Sequence, residues 1–218
     1  MQPRCSPKRN SGVTLFEVGV VVAVVMLLVV VLLPVLAKSR KPSHVSCVNN
    51  LKQICLTYRV WAGDNGDKYP MGVSTASGGS MELVATGNVL ATFLVMSNEL
   101  STPKVLHCWE DKAHTATSSF AALGNSNISY FTSVNVTNDT NPQAFLTGDD
   151  NFAISGVPIK SGLLEFSTNA PIGWMATRHM TYGNIGLADG SVQVVTSVLL
   201  RQWLLPQTGV ATNRLAIP

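Results

Sequence analysis

Residues 12–37 read GVTLFEVGVVVAVVMLLVVVLLPVLA, and residues 18–37 of this stretch contain no charged side chain. An α-helix of about 20 apolar residues is long enough to cross the roughly 30 Å hydrocarbon core of a bilayer. A secretory signal peptide usually has a shorter apolar core, of about 7–15 residues, followed by a small-residue cleavage site. The sequence therefore predicts one retained membrane-spanning helix.

The charge balance argues against a nucleic-acid partner. The chain has 218 residues, with 15 Lys and Arg against 12 Asp and Glu, and its mean hydropathy is +0.24. Arg4, Lys8 and Arg9 precede Gly12, so the rest of the chain carries equal numbers of basic and acidic side chains. A nucleic-acid-binding domain usually carries a basic excess. The length allows one ordinary domain besides the apolar segment.

Glu17 lies where the apolar run begins. A carboxylate in hydrocarbon is costly unless it is paired, so an ionisable residue there suggests a function with a specific partner. The alternative is that Glu17 lies at the level of the lipid headgroups and is hydrated.

The basic leader ending at Gly12, the sequence VTLFE at residues 13–17 and the apolar run together resemble the signature of type IV prepilins and type II secretion pseudopilins. The resemblance implies cleavage between Gly12 and Val13 by a prepilin peptidase, and methylation of the new amino group of Val13. It also implies that Glu17 pairs with the amino terminus of a neighbouring subunit when helices pack into a filament. Thr14 and Leu15 belong to the same assembly segment.

The same resemblance implies a domain plan and a location. Residues 1–12 would be the leader, 13–37 a transmembrane and assembly helix, 38–63 an amphipathic periplasmic helix and 64–218 a globular head. The protein would lie in the bacterial inner membrane, with a single span and a periplasmic head, and join a filament after processing. Its partners would be the prepilin peptidase, other pseudopilin subunits and a secretion or pilus assembly platform. No cofactor is implied.

An amphipathic helix is predicted after the apolar run, because apolar residues recur at helical spacing. These residues are Cys47, Leu51, Ile54, Tyr58 and Trp61. The sequence GDNGD at residues 63–67 predicts its end.

Two short sequences after the apolar run, NLKQI at residues 50–54 and DNGDKYP at 64–70, also resemble a bacterial pseudopilin-like family with the same leader. Asp64, Asn65 and Asp67 have the oxygen ligands that calcium prefers. The favoured interpretation of this cluster is a helix cap followed by a turn, and calcium binding is the alternative.

Beyond residue 70, short apolar or alternating runs are separated by Gly, Asn and Pro. Residues 128–134, 162–166 and 185–187 are predicted to be strands, and residues 81–95 and 195–205 could each hold a helix. The predicted fold class is α+β, with a small antiparallel sheet packed on the amphipathic helix. The leader resemblance implies a pilin-like form of this arrangement.

The sequence RHMTYGNIGLADGSVQVV at residues 178–195 contains His179, then nine residues, then Asp189 and Gly190. This His-x9-Asp-Gly spacing is similar to a carboxy-terminal motif of the same pseudopilin-like family. Asp189 and Gly190 also predict a hairpin turn, because glycine accepts a positive φ. His179 could bond across to that turn and fasten the sheet. The alternative is a metal or catalytic site.

Two further patterns involve cysteine. His107, Cys108, Asp111 and His114 could bind a metal, although zinc sites usually use paired spacings such as Cys-x2-Cys. If the head lies outside the cytoplasm, oxidising conditions permit a disulfide, and Cys47 with Cys108 is the favoured pair. The sequence leaves the pairing open.

No motif of a nucleotide-binding loop, a nucleophile elbow or a zinc protease is present. No catalytic residue and no metal site are therefore predicted, and the chain is expected to be a structural subunit, not an enzyme. The alternative is a membrane-tethered envelope domain that binds a ligand or metal, or hydrolyses a substrate, through His179 and Asp189.

Overall fold

The computed structural model describes residues 14–36 and 44–218, with side chains for residues 14–30 and 45–218. The predicted cleavage and methylation residues, Gly12 and Val13, lie outside these ranges. Contacts divide the chain into two units, Met1–Lys41 and Pro42–Pro218. The predicted amphipathic helix therefore belongs to the same unit as the head.

In the described residues of the first unit there is one helix, α1 (Leu15–Leu36), of 22 residues. Its large apolar side chains are exposed along the helix, from Leu15 at 93 % and Phe16 at 79 % to Val30 at 69 %. A helix that is apolar on all sides differs from a surface helix, which has one apolar stripe. The side chains of α1 are described only as far as Val30. Among the residues described with side chains, no helix is both long enough and apolar enough to cross a membrane.

The second unit begins with α2 (His44–Asp64), which confirms the predicted amphipathic helix. Its apolar face is buried and includes Leu51, Ile54 and Tyr58. The helix ends in a turn, because the amides of Asn65 and Asp67 both donate to the carbonyl of Ala62.

Shorter helices follow α2 along the chain. They are α3 (Met81–Val84), α4 (Val89–Val95), α5 (Ser97–Leu100), α6 (Ser197–Leu199), a π-helical turn (Leu200–Leu204) and α7 (Leu205–Gln207). The helix predicted over residues 81–95 is thus two helices, because Asn88 caps α4 by accepting a hydrogen bond from the amide of Ala91. The helix predicted over 195–205 begins at Ser197, since Thr196 caps it and Val195 belongs to a strand.

Nine strands form two antiparallel sheets in the described part of the second unit. They are β1 (Tyr130–Ser133), β2 (Phe145–Asp149), β3 (Phe152–Ile154), β4 (Val157–Pro158), β5 (Gly162–Ser167), β6 (Ile172–Trp174), β7 (Tyr182–Leu187), β8 (Val192–Thr196) and β9 (Thr212–Ile217). The larger sheet has the order β5-β9-β1-β2-β7-β8 and the smaller one β4-β3-β6. The α+β class and the three predicted strands are confirmed.

The larger sheet separates two hydrophobic cores, because successive side chains of a strand point to opposite faces. Tyr130 packs in the core beneath α2, whereas its neighbour Phe131 packs in the second core. The second core also contains Trp174 of the smaller sheet and Leu204 of the π-helical turn. With both faces covered, the sheet holds its central strands rigidly, and the polar groups described below lie at the ends of those strands.

Candidate functional site

The amino end of α1 is closed by a reciprocal cap. The amide and the hydroxyl of Thr14 each donate to Oε2 of Glu17 at 2.8 Å, and the amide of Glu17 donates to Oγ1 of Thr14 at 3.3 Å. This is a capping box, which satisfies amides that have no partner within the helix. Glu17 thus has a partner within its own chain, whereas Leu15 between the two residues is almost fully exposed.

The backbone at His179 and Met180 has an uncommon conformation, with φ angles of 52° and 57°. A non-glycine residue in this left-handed region costs about 1–3 kcal/mol and persists only where its surroundings hold it. The conformation turns the two side chains in opposite directions. The side chain of His179 is fully buried, whereas Met180 is 76 % exposed.

The imidazole of His179 meets two buried cysteines. The sulfurs of Cys47 and Cys108 and a ring nitrogen of His179 all lie within 4.8 Å of one another. Sγ of Cys108 is 3.3 Å from Nε2 of His179. Cys47 comes from the first turn of α2, and the loop at Cys108 is held by its amide, which donates to Oγ of Ser129. We call these three residues the Cys–His cluster.

Two carboxylates flank the imidazole of the Cys–His cluster. Oε2 of Glu110 lies 2.9 Å from Nδ1 of His179 and accepts the backbone amide of the same residue. Oδ2 of Asp149, at the end of β2, lies 3.6 Å from Nε2 and accepts two hydrogen bonds from Asn184. Burial lowers the pKa of His179, but the contact with Cys108 and the charge of Asp149 outweigh it, so the pKa is raised. Burial raises the pKa of Asp149.

Cys108, His179 and Glu110 have the order of nucleophile, base and orienting acid found in nucleophilic enzymes. The hydrogen bond with Cys47 and burial raise the pKa of the Cys108 thiol. Cys108 is also fully buried, whereas reactive cysteines are partly exposed and have a lowered pKa. The cluster is therefore suited to binding or to structural support, and poorly suited to nucleophilic attack.

Arg178, next to the cluster, joins three other segments of the chain. Its guanidinium pairs with Oδ2 of Asp111, donates to the carbonyl of Ser129 and lies 2.7 Å from Oδ1 of Asp150. Burial lowers the pKa of Arg178, but the surrounding carboxylates raise it further, so the group stays charged. Burial raises the pKa of Asp150 to about 6 in spite of Arg178. Burial works against ionisation of Asp111, but His114 and Arg178 outweigh it and lower its pKa.

A cleft of about 570 Å³ opens beside Arg178. Its lining includes Asp111, His114, Asp150, Phe152, Met175 and Arg178. A volume of a few hundred Å³ with a few convergent polar groups is typical of a small-molecule site. Asp111, His114 and Asp150 could also provide oxygen and nitrogen ligands to a metal, but both carboxylates already pair with Arg178.

The other end of the His-x9-Asp-Gly motif forms the predicted hairpin turn. β7 and β8 are antiparallel, and Gly190 has φ 87°, as the turn requires. The carbonyl of Asp189 accepts a hydrogen bond from Arg59, in the last turns of α2. The contacts described for His179 lie with Cys108, Glu110 and Asp149, so the predicted bond from His179 to this turn stays a prediction.

β7, the strand within the His-x9-Asp-Gly motif, is about as long as the part of α2 between Cys47 and Arg59. From Cys47 to Arg59 the helix rises about 18 Å, and from Tyr182 to Leu187 β7 extends over about 17 Å. β7 packs against α2 between these ends, where a Cβ on Gly186 would come within 2.4 Å of Sγ of Cys55. His179 thus meets one end of α2, and Asp189 meets the other.

Other predicted sites have different outcomes. Cys47 and Cys108 are free thiols, so the candidate disulfide is not formed in this structure, although the two residues are neighbours. Cys55 is also a free, buried thiol. The pattern from His107 to His114 does not form one metal site, because Cys108 joins Cys47 and His179 whereas Asp111 and His114 join Asp150.

The Asp64–Asp67 cluster forms the turn described above, and Nδ2 of Asn65 donates to the carbonyl of Trp61. Neither of the two groups of metal-ligating side chains in the described residues includes it. The structure shows the turn that the sequence favours for this cluster.

Sequence reasoning missed the acidic residues Asp149 and Asp150, which follow the apolar residues of β2. Two consecutive carboxylates at the end of a buried strand, Asp149 within β2 and Asp150 after it, were a usable signal, because a buried charge is costly unless it is paired.

No family model, no curated protein and no solved structure matches the chain in comparisons with known proteins.

Proposed function

We propose that the protein is a pseudopilin-like structural subunit, which is processed by a prepilin peptidase and assembled through α1 into a type II secretion pseudopilus or a type IV pilus-like filament. The observation that carries the proposal is the apolar surface of α1. Its side chains from Leu15 to Val30 are exposed, and they lack polar groups apart from Glu17. An exposed patch of this extent requires lipid or another protein surface. In the proposal α1 is stored in the inner membrane and then buried against neighbouring subunits.

The residues at the start of α1 support this proposal. The sequence after Gly12 resembles the processing signature, and Glu17 lies one helical turn from the proposed new amino terminus. The capping box with Thr14 holds the carboxylate at that end of the helix. A neighbouring subunit's amino group could then neutralise it away from water.

A second candidate function is ligand binding by a membrane-tethered head. The cleft of about 570 Å³ beside Arg178 favours it. Ligand binding through His179 and Asp189 together has less support, because the two residues lie at opposite ends of α2.

Mass spectrometry of the purified protein distinguishes the candidates. The filament proposal expects a mature chain that begins with N-methylated Val13. An uncut chain, or a different amino terminus, would contradict processing by a prepilin peptidase.

The role of Glu17 requires two variants, because the residue both caps α1 and carries a charge. Glu17→Gln keeps an acceptor for the capping box and removes the charge, whereas Glu17→Val removes both. Under the proposal both variants insert into the membrane and both fail to enter filaments, as measured by membrane fractionation and by filament purification. If Glu17→Gln assembles normally, the carboxylate is only a helix cap and the charge-pairing step is wrong.

A further inference from the structure

The Cys–His cluster combines ligands of one chemical type in a buried position. Two sulfurs and an imidazole nitrogen lie within 4.8 Å of one another, and all three residues are buried. In a tetrahedral zinc site, bonds of about 2.3 Å to sulfur and about 2.0–2.1 Å to nitrogen place the ligand atoms between three and four ångströms apart. The separation of 3.3 Å between Sγ of Cys108 and Nε2 of His179 is already of that size.

A fourth ligand is available beside the cluster. Oδ2 of Asp149 lies 3.6 Å from the same nitrogen, Nε2 of His179. The other oxygen, Oδ1, is buried and has no hydrogen-bond partner among the described residues. A buried carboxylate oxygen without a donor is costly unless a cation neutralises it.

The second nitrogen of the imidazole has the partner expected of a metal ligand. A histidine that binds zinc usually contacts a carboxylate through its other ring nitrogen, which fixes the tautomer and the ring orientation. Nδ1 of His179 lies 2.9 Å from Oε2 of Glu110, while Nε2 faces Cys108. These contacts hold the ring of a residue whose backbone is left-handed.

The charges around the cluster also call for a cation. The carboxyl groups of Glu110 and Asp149 both lie beside the imidazole of the cluster, whereas Arg178 pairs with Asp111 and Asp150 outside it. A disulfide between Cys47 and Cys108 would account for the position of the two sulfurs. It would not account for the carboxyl groups or for the buried imidazole of His179 beside them.

We propose that Cys47, Cys108, His179 and Asp149 form a structural zinc site that fastens the first turn of α2 to the loop at Cys108 and to β2. Thiolate and imidazole ligands favour Zn²⁺ over Mg²⁺ and Ca²⁺, which prefer oxygen. Binding exchanges the two thiol protons for the metal, and these protons are released to solvent. The site does not depend on filament assembly, so the two proposals can fail separately.

The test uses the full chain in detergent, purified without reductant or chelator, with zinc measured by elemental analysis. We expect one zinc ion per chain in the wild type. Cys47→Ala, Cys108→Ala and His179→Asn should each lose it, and asparagine is chosen at 179 because it tolerates the left-handed backbone. Cys55→Ala is the matched control, since Cys55 is another buried cysteine of α2 outside the cluster, and it should retain zinc.

Two further measurements keep the test decisive if a cysteine variant does not fold. The reduced wild type should bind Co²⁺ with a thiolate-to-cobalt charge-transfer band, and His179→Asn, checked for folding by circular dichroism, should lack that band. Glu110→Ala should weaken zinc binding by about 10–100-fold, because Glu110 acts as a positioning residue for the imidazole.

Three results would overturn the site. They are a Cys47–Cys108 disulfide in zinc-free protein, failure of the fully reduced chain to take up Zn²⁺ or Co²⁺, and full zinc retention by folded His179→Asn. The first of these would instead support the disulfide that the sequence suggests.

Discussion

The two long helices, α1 and α2, have nearly the same length, 22 and 21 residues, but opposite surroundings. α2 buries Leu51 and Tyr58 completely against its own chain, whereas Leu27 of α1 is 65 % exposed. The difference shows that α2 is stabilised by contacts within its own unit, while the apolar side chains of α1 have no such cover among the described residues. Substitutions in α2 and in the residues packed against it should therefore lower the free energy of unfolding. Substitutions in α1 should instead change the association of the protein with other molecules.

The largest expected effect lies in the buried ion network of the head. Arg178→Met leaves the buried carboxylate of Asp150 without its cationic partner and Asp111 with only His114, so the free energy of unfolding should fall by about 3–5 kcal/mol. Urea unfolding followed by tryptophan fluorescence measures this change.

The control is an exposed pair of the same type. Arg214 on β9 contacts Glu165 on β5 at 2.6 Å, and both side chains are substantially exposed. Arg214→Met should change stability by less than about 1 kcal/mol. Equal losses in the two variants would mean that burial does not determine the contribution of Arg178.

A pair of leucine substitutions tests the comparison of the helices directly. Leu51→Ala in α2 should destabilise the head by about 2–5 kcal/mol, because it leaves a cavity in the core beneath α2. Leu27→Ala in α1 should leave urea unfolding of the head unchanged. A large loss of head stability from Leu27→Ala would show that α1 contributes to the fold of the head.

The smallest expected effect depends on pH. The hydrogen bond with Asp111, at 2.7 Å, outweighs burial and raises the pKa of His114 above its usual 6.5. A raised pKa of the folded state means that this contribution to stability is fully present below about pH 6.5 and is lost as the pH rises through the folded value.

The difference in unfolding free energy between the wild type and His114→Gln should therefore shrink as the pH rises from 6 to 9. Unfolding curves at a series of pH values measure it. A difference that stays constant over this range would remove the ion pair as its cause.

Local patterns in the sequence predicted much of the framework but little of the site. The spacing of Leu51, Ile54 and Tyr58 predicted α2, and Asp189 with Gly190 predicted the β7–β8 turn, because both signals lie within a few residues. The helix over residues 81–95 was predicted as continuous, since the pattern of apolar residues did not reveal that Asn88 starts a new helix.

The sequence favoured Cys47 and Cys108 as a pair, but the addition of His179 and Asp149 escaped prediction because the members of the cluster are far apart in the sequence. Cys47, Cys108, Asp149 and His179 come together only when α2, the sheet and the loop at Cys108 pack. Spacing rules for metal sites detect ligands within one short segment, so no local signal joined Cys108 to His179.

The match between β7 and α2 has a mechanical consequence. α2 is held near both ends, by the Cys–His cluster at Cys47 and by the bond from Arg59 to Asp189, with β7 packed in between. A force along the axis of α2 would act as shear on both end contacts and on the β7 contacts at the same time. The contacts would not break one after another, as they would if the helix were peeled from the sheet. Separation of α2 from the sheet would then require all of these contacts to break at once.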